Sequence, residues 1–120
     1  MGMTWKVLYH DAFVPELEAL SETVQDELFA NISLLTSYGP ALGRPHADTL
    51  AGSHFANMKE LRFRANNGVW RVAYAFDPKR QAIVRVAGDK SGTSQNRFYR
   101  SMIAKADKRF AKYLDMLEKN

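Results

Sequence analysis

The stretch MKELRFRANNGVWRVAYAF, residues 58–76, decides the fold. Two runs rich in alternating apolar and charged or small side chains flank Asn66-Asn67-Gly68. Side chains alternate across a strand, and the tight turn of a hairpin needs residues that tolerate positive φ, as Asn and Gly do. The stretch therefore predicts two antiparallel strands, Met58 to Ala65 and Val69 to Phe76. Asp77-Pro78-Lys79-Arg80 is a type I turn with Pro at its second position, and Gln81 to Ala87 is a third strand. Parity then assigns faces. Trp70, Val72, Tyr74 and Phe76 share one, with Leu61, Phe63, Val84 and Val86 as partners. Glu60, Arg62, Arg64, Arg71 and Arg85 share the other with Ile83. Helices are expected to cover the apolar side and to leave the second face open.

Outward from the hairpin, Thr4 to Tyr9 is rich in strand formers and reads as a first strand. Asp11 is a candidate helix N-cap. Phe13, Leu17, Leu20, Val24, Leu28, Ile32 and Leu35 recur at spacings of three or four. They predict an amphipathic helical region, broken near Ser21 into a helical hairpin and ended by Gly39-Pro40. Residues 39–53 read as an ordered surface loop anchored by Leu42 and Leu50. GDKSG, residues 88–92, is a tight polar loop. Ser94 to Lys119 is a final helix, with Phe98, Met102, Ile103, Ala106, Phe110, Tyr113, Leu114 and Leu117 on its buried stripe. The prediction is one α+β domain over residues 1–120. It has a small twisted antiparallel sheet, an N-terminal helical hairpin packed on one face and a flanking C-terminal helix.

The totals exclude several classes. A chain of 120 residues, 46% of them apolar, supports one modest core. The absence of cysteine excludes disulfides and thiolate metal sites and fits a reducing cytoplasm. No apolar run approaches the roughly 20 residues of a membrane helix, and Met1 to His10 lacks the apolar core of a signal peptide. The net charge of +4 conceals a division. Residues 1–56 carry two basic and seven acidic side chains, whereas 57–92 carry eight basic and three acidic, and 93–120 seven and three. Such polarity favours a polyanionic partner for the second half.

Arginine suits phosphate, because its planar fork donates two parallel hydrogen bonds and remains charged at physiological pH. The wet outer face of an antiparallel sheet also tolerates arginine. Four guanidiniums on one small face repel by roughly 1 kcal/mol per close pair, however, and a bound anion would relieve that repulsion. Glu60 can neutralise a neighbouring arginine, or serve as a general base toward a ribose 2′-hydroxyl. His10, His46 and His54 are too dispersed for a metal site, although His54 lies just ahead of the basic strand and could shuttle a proton. GDKSG lacks the spacing of a phosphate-binding P-loop. Ser91 has no nearby histidine to make a hydrolytic triad. Lys105, Lys108 and Lys112 form a solvated helix face able to touch RNA backbone non-specifically.

The ordered set Tyr38-Gly39-Pro40, Gly43-Arg44-Pro45, Met58-Lys59-Glu60-Leu61-Arg62, Gly68-Val69-Trp70-Arg71-Val72-Ala73-Tyr74 and Gly88-Asp89-Lys90-Ser91-Gly92 resembles the RelE/ParE toxin superfamily. Within it, the HigB-like, phage Gp49-like branch is the most similar, over nearly the whole chain. The resemblance implies a toxin of a type II toxin–antitoxin system that cleaves mRNA in the ribosomal A site and arrests growth. It implies no metal or cofactor: the 2′-oxygen attacks the adjacent phosphate and basic side chains stabilise the charge. Carried onto this chain, it makes Glu60, Arg62, Arg71, Arg85 and Lys90 the catalytic candidates. Lys59, Arg64, Lys79 and Arg80 are RNA-binding candidates, and His54 and Tyr99 are candidates for an acid or stacking group. Ser91 stands where relatives often place a second lysine. The implied partners are mRNA, the ribosome and a cognate antitoxin, commonly a helix-turn-helix protein, with no membrane. Two alternatives stay open: a ParE-like inhibitor of DNA gyrase, and a non-catalytic phage-derived host-interaction protein.

Overall fold

The computed structural model describes residues 4–92 and 94–119. In chain order the strands are β1 (Val7–Tyr9), β2 (Ala47–Thr49), β3 (Lys59–Ala65), β4 (Gly68–Phe76) and β5 (Ala82–Asp89). The helices are α1 (Val14–Glu18), α2 (Glu22–Tyr38) and α3 (Gln95–Glu118), with a 3-10 turn at Gly39–Ala41. The sheet order is β1-β5-β4-β3-β2. Four strands are antiparallel neighbours, and β1 adds itself parallel to β5, so the sheet is mixed.

Local chemistry sets most of the boundaries. Asn66 and Asn67 take φ of 49° and 62°, the left-handed pair that a two-residue hairpin turn requires. Arg80 N–H donates to Asp77 O at 2.9 Å to close the next turn. Asp77 Oδ1 also accepts from the backbone of Lys79 and Gln81. Ser21 caps α2 by accepting from Val24 N–H, and Ser94 caps α3 by accepting from Arg97 N–H. Gly39 ends α2 at φ +56°, where a Cβ would come within 2.4 Å of the Trp5 indole. Asp11 does not cap. Helix α1 starts at Val14 with no side-chain cap, and His10 Nδ1 accepts from Ala12 N–H instead.

The open second face does not exist as expected, because helices cover both sides. On one side Phe13, just ahead of α1, with Leu17 of α1 and Leu28 and Leu35 of α2, packs on Leu61, Val72, Tyr74 and Val84. On the other, α3 brings Met102, Ala106 and Phe110 onto Met58, Ala73, Ala75 and Val86. The small residues Ala73 and Ala75 let a helix lie close to the sheet. Gly88 does the same at its N-terminal end, where a Cβ would sit 2.9 Å from the Phe98 ring.

Two further corrections concern register. β4 and β5 slip at Ala73/Tyr74: Tyr74 pairs with Val84 but Ala73 with Val86, leaving Arg85 as the extra residue of a β-bulge. Simple alternation therefore fails past Val84, and Val86 joins the α3 side rather than the side of Trp70. Within the loop expected over 39–53, Ala47–Thr49 pairs with β3 as an edge strand. Leu42 and Leu50 are buried anchors there, as anticipated.

Candidate functional site

Near the start of α3 the α3-side face of the sheet keeps accessible basic side chains, Arg62 and Arg64. Glu60, on β3, points to the same face and is just 2% exposed. Its Oε1 accepts from Arg62 Nε at 2.9 Å and from the Tyr99 hydroxyl at 3.0 Å, and lies 3.4 Å from Arg71 Nε. Arg62 and Arg71 are direct register partners across β3 and β4. Like charges placed so are destabilising, and the shared carboxylate offsets that. Arg71, 9% exposed, also donates from Nε to the Tyr99 oxygen at 3.2 Å and from Nη1 to Trp70 O at 2.9 Å.

Tyr99 sits in the opening turns of α3 and reaches the sheet because Gly88 lets that helix approach. Its hydroxyl accepts from Arg71 and donates to Glu60, so its proton has a defined direction. Burial raises its pKa, Arg71 opposes this and the Glu60 charge adds to it, for a net upward shift. The phenol therefore holds its proton at neutral pH.

Lys90 follows β5 and extends the ladder through its N–H to Val69 O at 2.8 Å. Its Nζ lies 5.9 Å from the centre of the Tyr99 ring. Desolvation, then repulsion from Arg71 and Arg62, lowers its pKa. The preceding turn is pinned by Asp89, whose Oδ1 accepts from the backbone of Val69 and Ser91 and from the Ser91 hydroxyl. Arg64, exposed, lines a shallow cleft of about 270 Å³ with Pro45, Arg62, Phe63, Val69 and Arg71.

Asp48 escaped the sequence reading because the short strand carrying it did. It pairs in register with Glu60, lies 3.9 Å from Arg62 and holds Arg44 at 2.9 Å. The backbone N–H of Thr49, then Arg44, keeps its carboxyl below the usual range. Arg62 is thus bracketed by two carboxylates, and the hydrogen bond it donates to Glu60 raises its pKa.

The structure thus brings Glu60, Arg62, Arg71 and Tyr99 together, with Lys90 and Arg64 at the margin, and places the other candidates elsewhere. Arg85, expected on the open face, is fully buried beneath α3. Its Cζ stacks 3.7 Å over the Phe110 ring, Nη1 donates to Ile83 O and Met58 Sδ, and burial pushes its pKa down to about 9. Lys79 and Arg80 lie at the β4–β5 turn, roughly 17 Å along the strand from Arg71 at about 3.3 Å per residue, and Arg80 stacks over Trp5. Lys59 has the opposite parity to Glu60 and pairs with Tyr74. His54 is exposed and its backbone N–H donates to Asp107 in the middle of α3. Among the described residues no three His, Cys, Asp or Glu side chains converge in a way that could hold a metal ion. No described helix is long and apolar enough to cross a membrane.

The fold is that of RelE toxins. A free mutant form of Escherichia coli RelE superposes with a TM-score of 0.60 at 15% identity, covering 86% of this chain and 97% of that one. A chain of the archaeal RelE–RelB complex from Pyrococcus horikoshii gives 0.54 at 19% identity, covering 76% of this chain and 100% of that one. In sequence, the profile of the phage-derived Gp49-like proteins (DUF891) matches residues 15–111. The candidate toxin HigB2 of Mycobacterium tuberculosis is 42% identical over 103 residues, which are 85% of this chain and 51% of that protein. The candidate toxin HigB3 of the same organism is 41% identical over 105 residues, 84% and 90% of the two chains. The chain therefore spans about half of one curated relative and nearly all of the other. It belongs to the phage-derived Gp49-like family, with HigB toxins as its relatives in sequence.

Proposed function

We propose that this chain is the toxin of a type II toxin–antitoxin pair and cuts mRNA on the ribosome without a metal. The observation that carries the reading is the shared contact of Glu60 with Arg62, Arg71 and Tyr99 at the edge of a cleft lined by arginines. In this reading a scissile phosphate docks on Arg62 and Arg71, with Arg64 and Lys90 positioning the flanking strand. The 2′-oxygen attacks phosphorus, its proton leaving to water. The two guanidiniums stabilise the added negative charge, the kind of preorganised electrostatic term that often dominates catalysis. Tyr99 turns its proton from Glu60 to the departing 5′-oxygen, Arg71 Nε–H, already on the phenol oxygen, stabilises the phenolate, and water returns the proton. Glu60, with two donors on one oxygen and the Arg71 guanidinium beside it, aligns the arginines and the tyrosine and does not act as a free base.

An antitoxin that occupies or covers this basic surface is the implied protein partner. The test is induced expression with mapping of transcript 5′ ends. Wild type is expected to give cuts clustered at codon boundaries, and Arg71→Ala to abolish both cutting and growth arrest while remaining folded. Growth arrest with intact transcripts would overturn the reading, and inhibited supercoiling in a gyrase assay would assign the ParE-like activity instead. Co-expression with the product of the adjoining reading frame should restore growth if that product is the antitoxin.

A further inference from the structure

Two clefts flank α3 on its β5 side, with volumes of about 300 and 520 Å³. They share Ser101 and Lys105, so they form one groove. One wall is α3. The other is Val86–Gly88 of β5, past the last residue paired with β1, followed by the segment at His10 and Ala12. The helix wall carries Arg109, ion-paired to Glu16, and four further cations, Arg97, Lys105, Lys108 and Lys112. At 3.6 residues per turn these four positions fall within an arc of about 80°, and at 1.5 Å per residue they extend over about 22 Å. Among the described residues none of the four has a carboxylate within 4 Å, and no Asp or Glu lines either cleft. The groove begins beside the candidate active site: Gly88 is the register partner of Arg71, and Phe98 meets Tyr99 edge-on at 5.2 Å.

We propose that this groove is a phosphate track that holds a single strand of RNA running from the Arg62–Arg71–Tyr99 cluster along α3. The inference rests on the RNA-cleavage reading of that cluster, since it assigns the groove to the same strand or its immediate continuation. A row of unpaired cations on a straight helix matches a repeating charge better than an isolated anion. Lysine, a compact charge on a flexible stem, suits backbone contact without base selectivity. Sequence preference would then come from the cluster end, and the track would contribute affinity and orientation.

The competing occupant is an extended acidic protein segment, since the same wall offers unpaired strand edge and the same charges. Salt dependence separates the possibilities. For single-stranded nucleic acid, log K falls against log salt with a slope of about −0.7 per phosphate neutralised. The full chain and a Lys105→Gln/Lys108→Gln/Lys112→Gln variant, which keeps good helix formers in α3, are titrated with a labelled 20-nucleotide oligouridylate and with poly-L-glutamate between 50 and 200 mM salt. Circular dichroism confirms that the variant is folded. The expected result is a slope shallower by about 2 in the variant and roughly hundredfold weaker RNA binding at 50 mM salt. Equal RNA slopes for the two proteins would overturn the proposal, as would failure of the wild type to bind the oligouridylate. Tighter binding to poly-L-glutamate with the same lysine dependence would overturn it in favour of an acidic protein segment. Arg71→Ala in parallel keeps the two readings distinct. If that protein still cuts transcripts, the assignment of cleavage to the cluster fails whatever the groove does. If the triple variant keeps the wild-type slope, the groove fails while the cleavage reading stands.

Discussion

Replacing Glu60 by Gln keeps the shape of the site and removes the one charge that Arg62 and Arg71 share. Distance and burial then make opposite predictions about which arginine suffers more. Arg62 is the closer, at 2.9 Å against 3.4 Å, but its side chain is 37% exposed, whereas that of Arg71 is 10%. The difference in distance changes a Coulomb energy by only about 15%, while the effective dielectric between a surface pair and a buried one changes it several-fold. Burial should win. Removing one partner of a fully buried pair costs about 3–5 kcal/mol, and an exposed pair contributes about 1 kcal/mol or less. For this mixed case Glu60→Gln should destabilise the fold by about 2–3 kcal/mol. At about 3–5 °C per kcal/mol for a domain of this size, Tm should fall by about 8–12 °C. Urea unfolding of the four proteins in each double-mutant cycle is the assay, with unchanged slopes showing two-state behaviour. The coupling of Glu60 to Arg71 should be about 1.5–2 kcal/mol, and that to Arg62 below about 1 kcal/mol. A larger coupling to Arg62, or a Glu60→Gln protein within about 0.5 kcal/mol of wild type, would refute the burial reasoning.

Tyr99→Phe keeps the ring against Phe98 and deletes the hydroxyl. It should lower stability by about 1 kcal/mol but transcript cutting by about 10²-fold or more, and cutting at wild-type rate would remove Tyr99 as the acid. Arg85→Met replaces a buried guanidinium whose Nε and Nη2 have no hydrogen-bond partner with a flexible apolar chain. Urea unfolding should show it neutral or stabilising by about 1–2 kcal/mol, with growth arrest retained. Arg109→Gln breaks the two-point ion pair to Glu16 that ties α3 to α1. The hydrogen bond from Arg109 lowers the Glu16 pKa from its ordinary 4.5, against burial. The contribution is therefore present above the unfolded pKa and lost as pH falls through the lower folded value. Wild type should lose about 0.5–1 kcal/mol more than the variant between pH 5 and pH 3, discounted for the exposure of Glu16.

The parts of the fold written in local chemistry were legible from residue order. The Asn66-Asn67 turn, the Ser21 break, the Gly39 stop and the Ser94 start each depend on a residue that does one thing well. The loss of alternation at Arg85 had no such signature. A bulge displaces every later side chain by one face, and nothing in AIVRVAG, residues 82–88, distinguishes a bulged strand from a regular one. The short strand Ala47–Thr49 also lacked a signal, because Ala-Asp-Thr gains its pairing from β3 rather than from strand propensity.

The strand members of the site were legible from parity and Tyr99 from the family resemblance, but the contact that joins them was not. Parity placed Glu60, Arg62 and Arg71 on one face, but could not say how much of that face would stay open. That depends on where α3 lands, and hence on Ala73, Ala75 and Gly88, whose smallness looks unremarkable in sequence. Once the helix lands there, the expected set of basic residues divides. Arg85 passes under Phe110 into the core, and Tyr99 is carried onto the carboxylate that holds the other two arginines. One packing event thus removes a candidate phosphate ligand and supplies a candidate proton donor. A substitution that lifts the start of α3, such as Gly88→Val against Phe98, should therefore weaken the Tyr99 contact while leaving the Glu60–Arg62 pair, which lies within β3, in place.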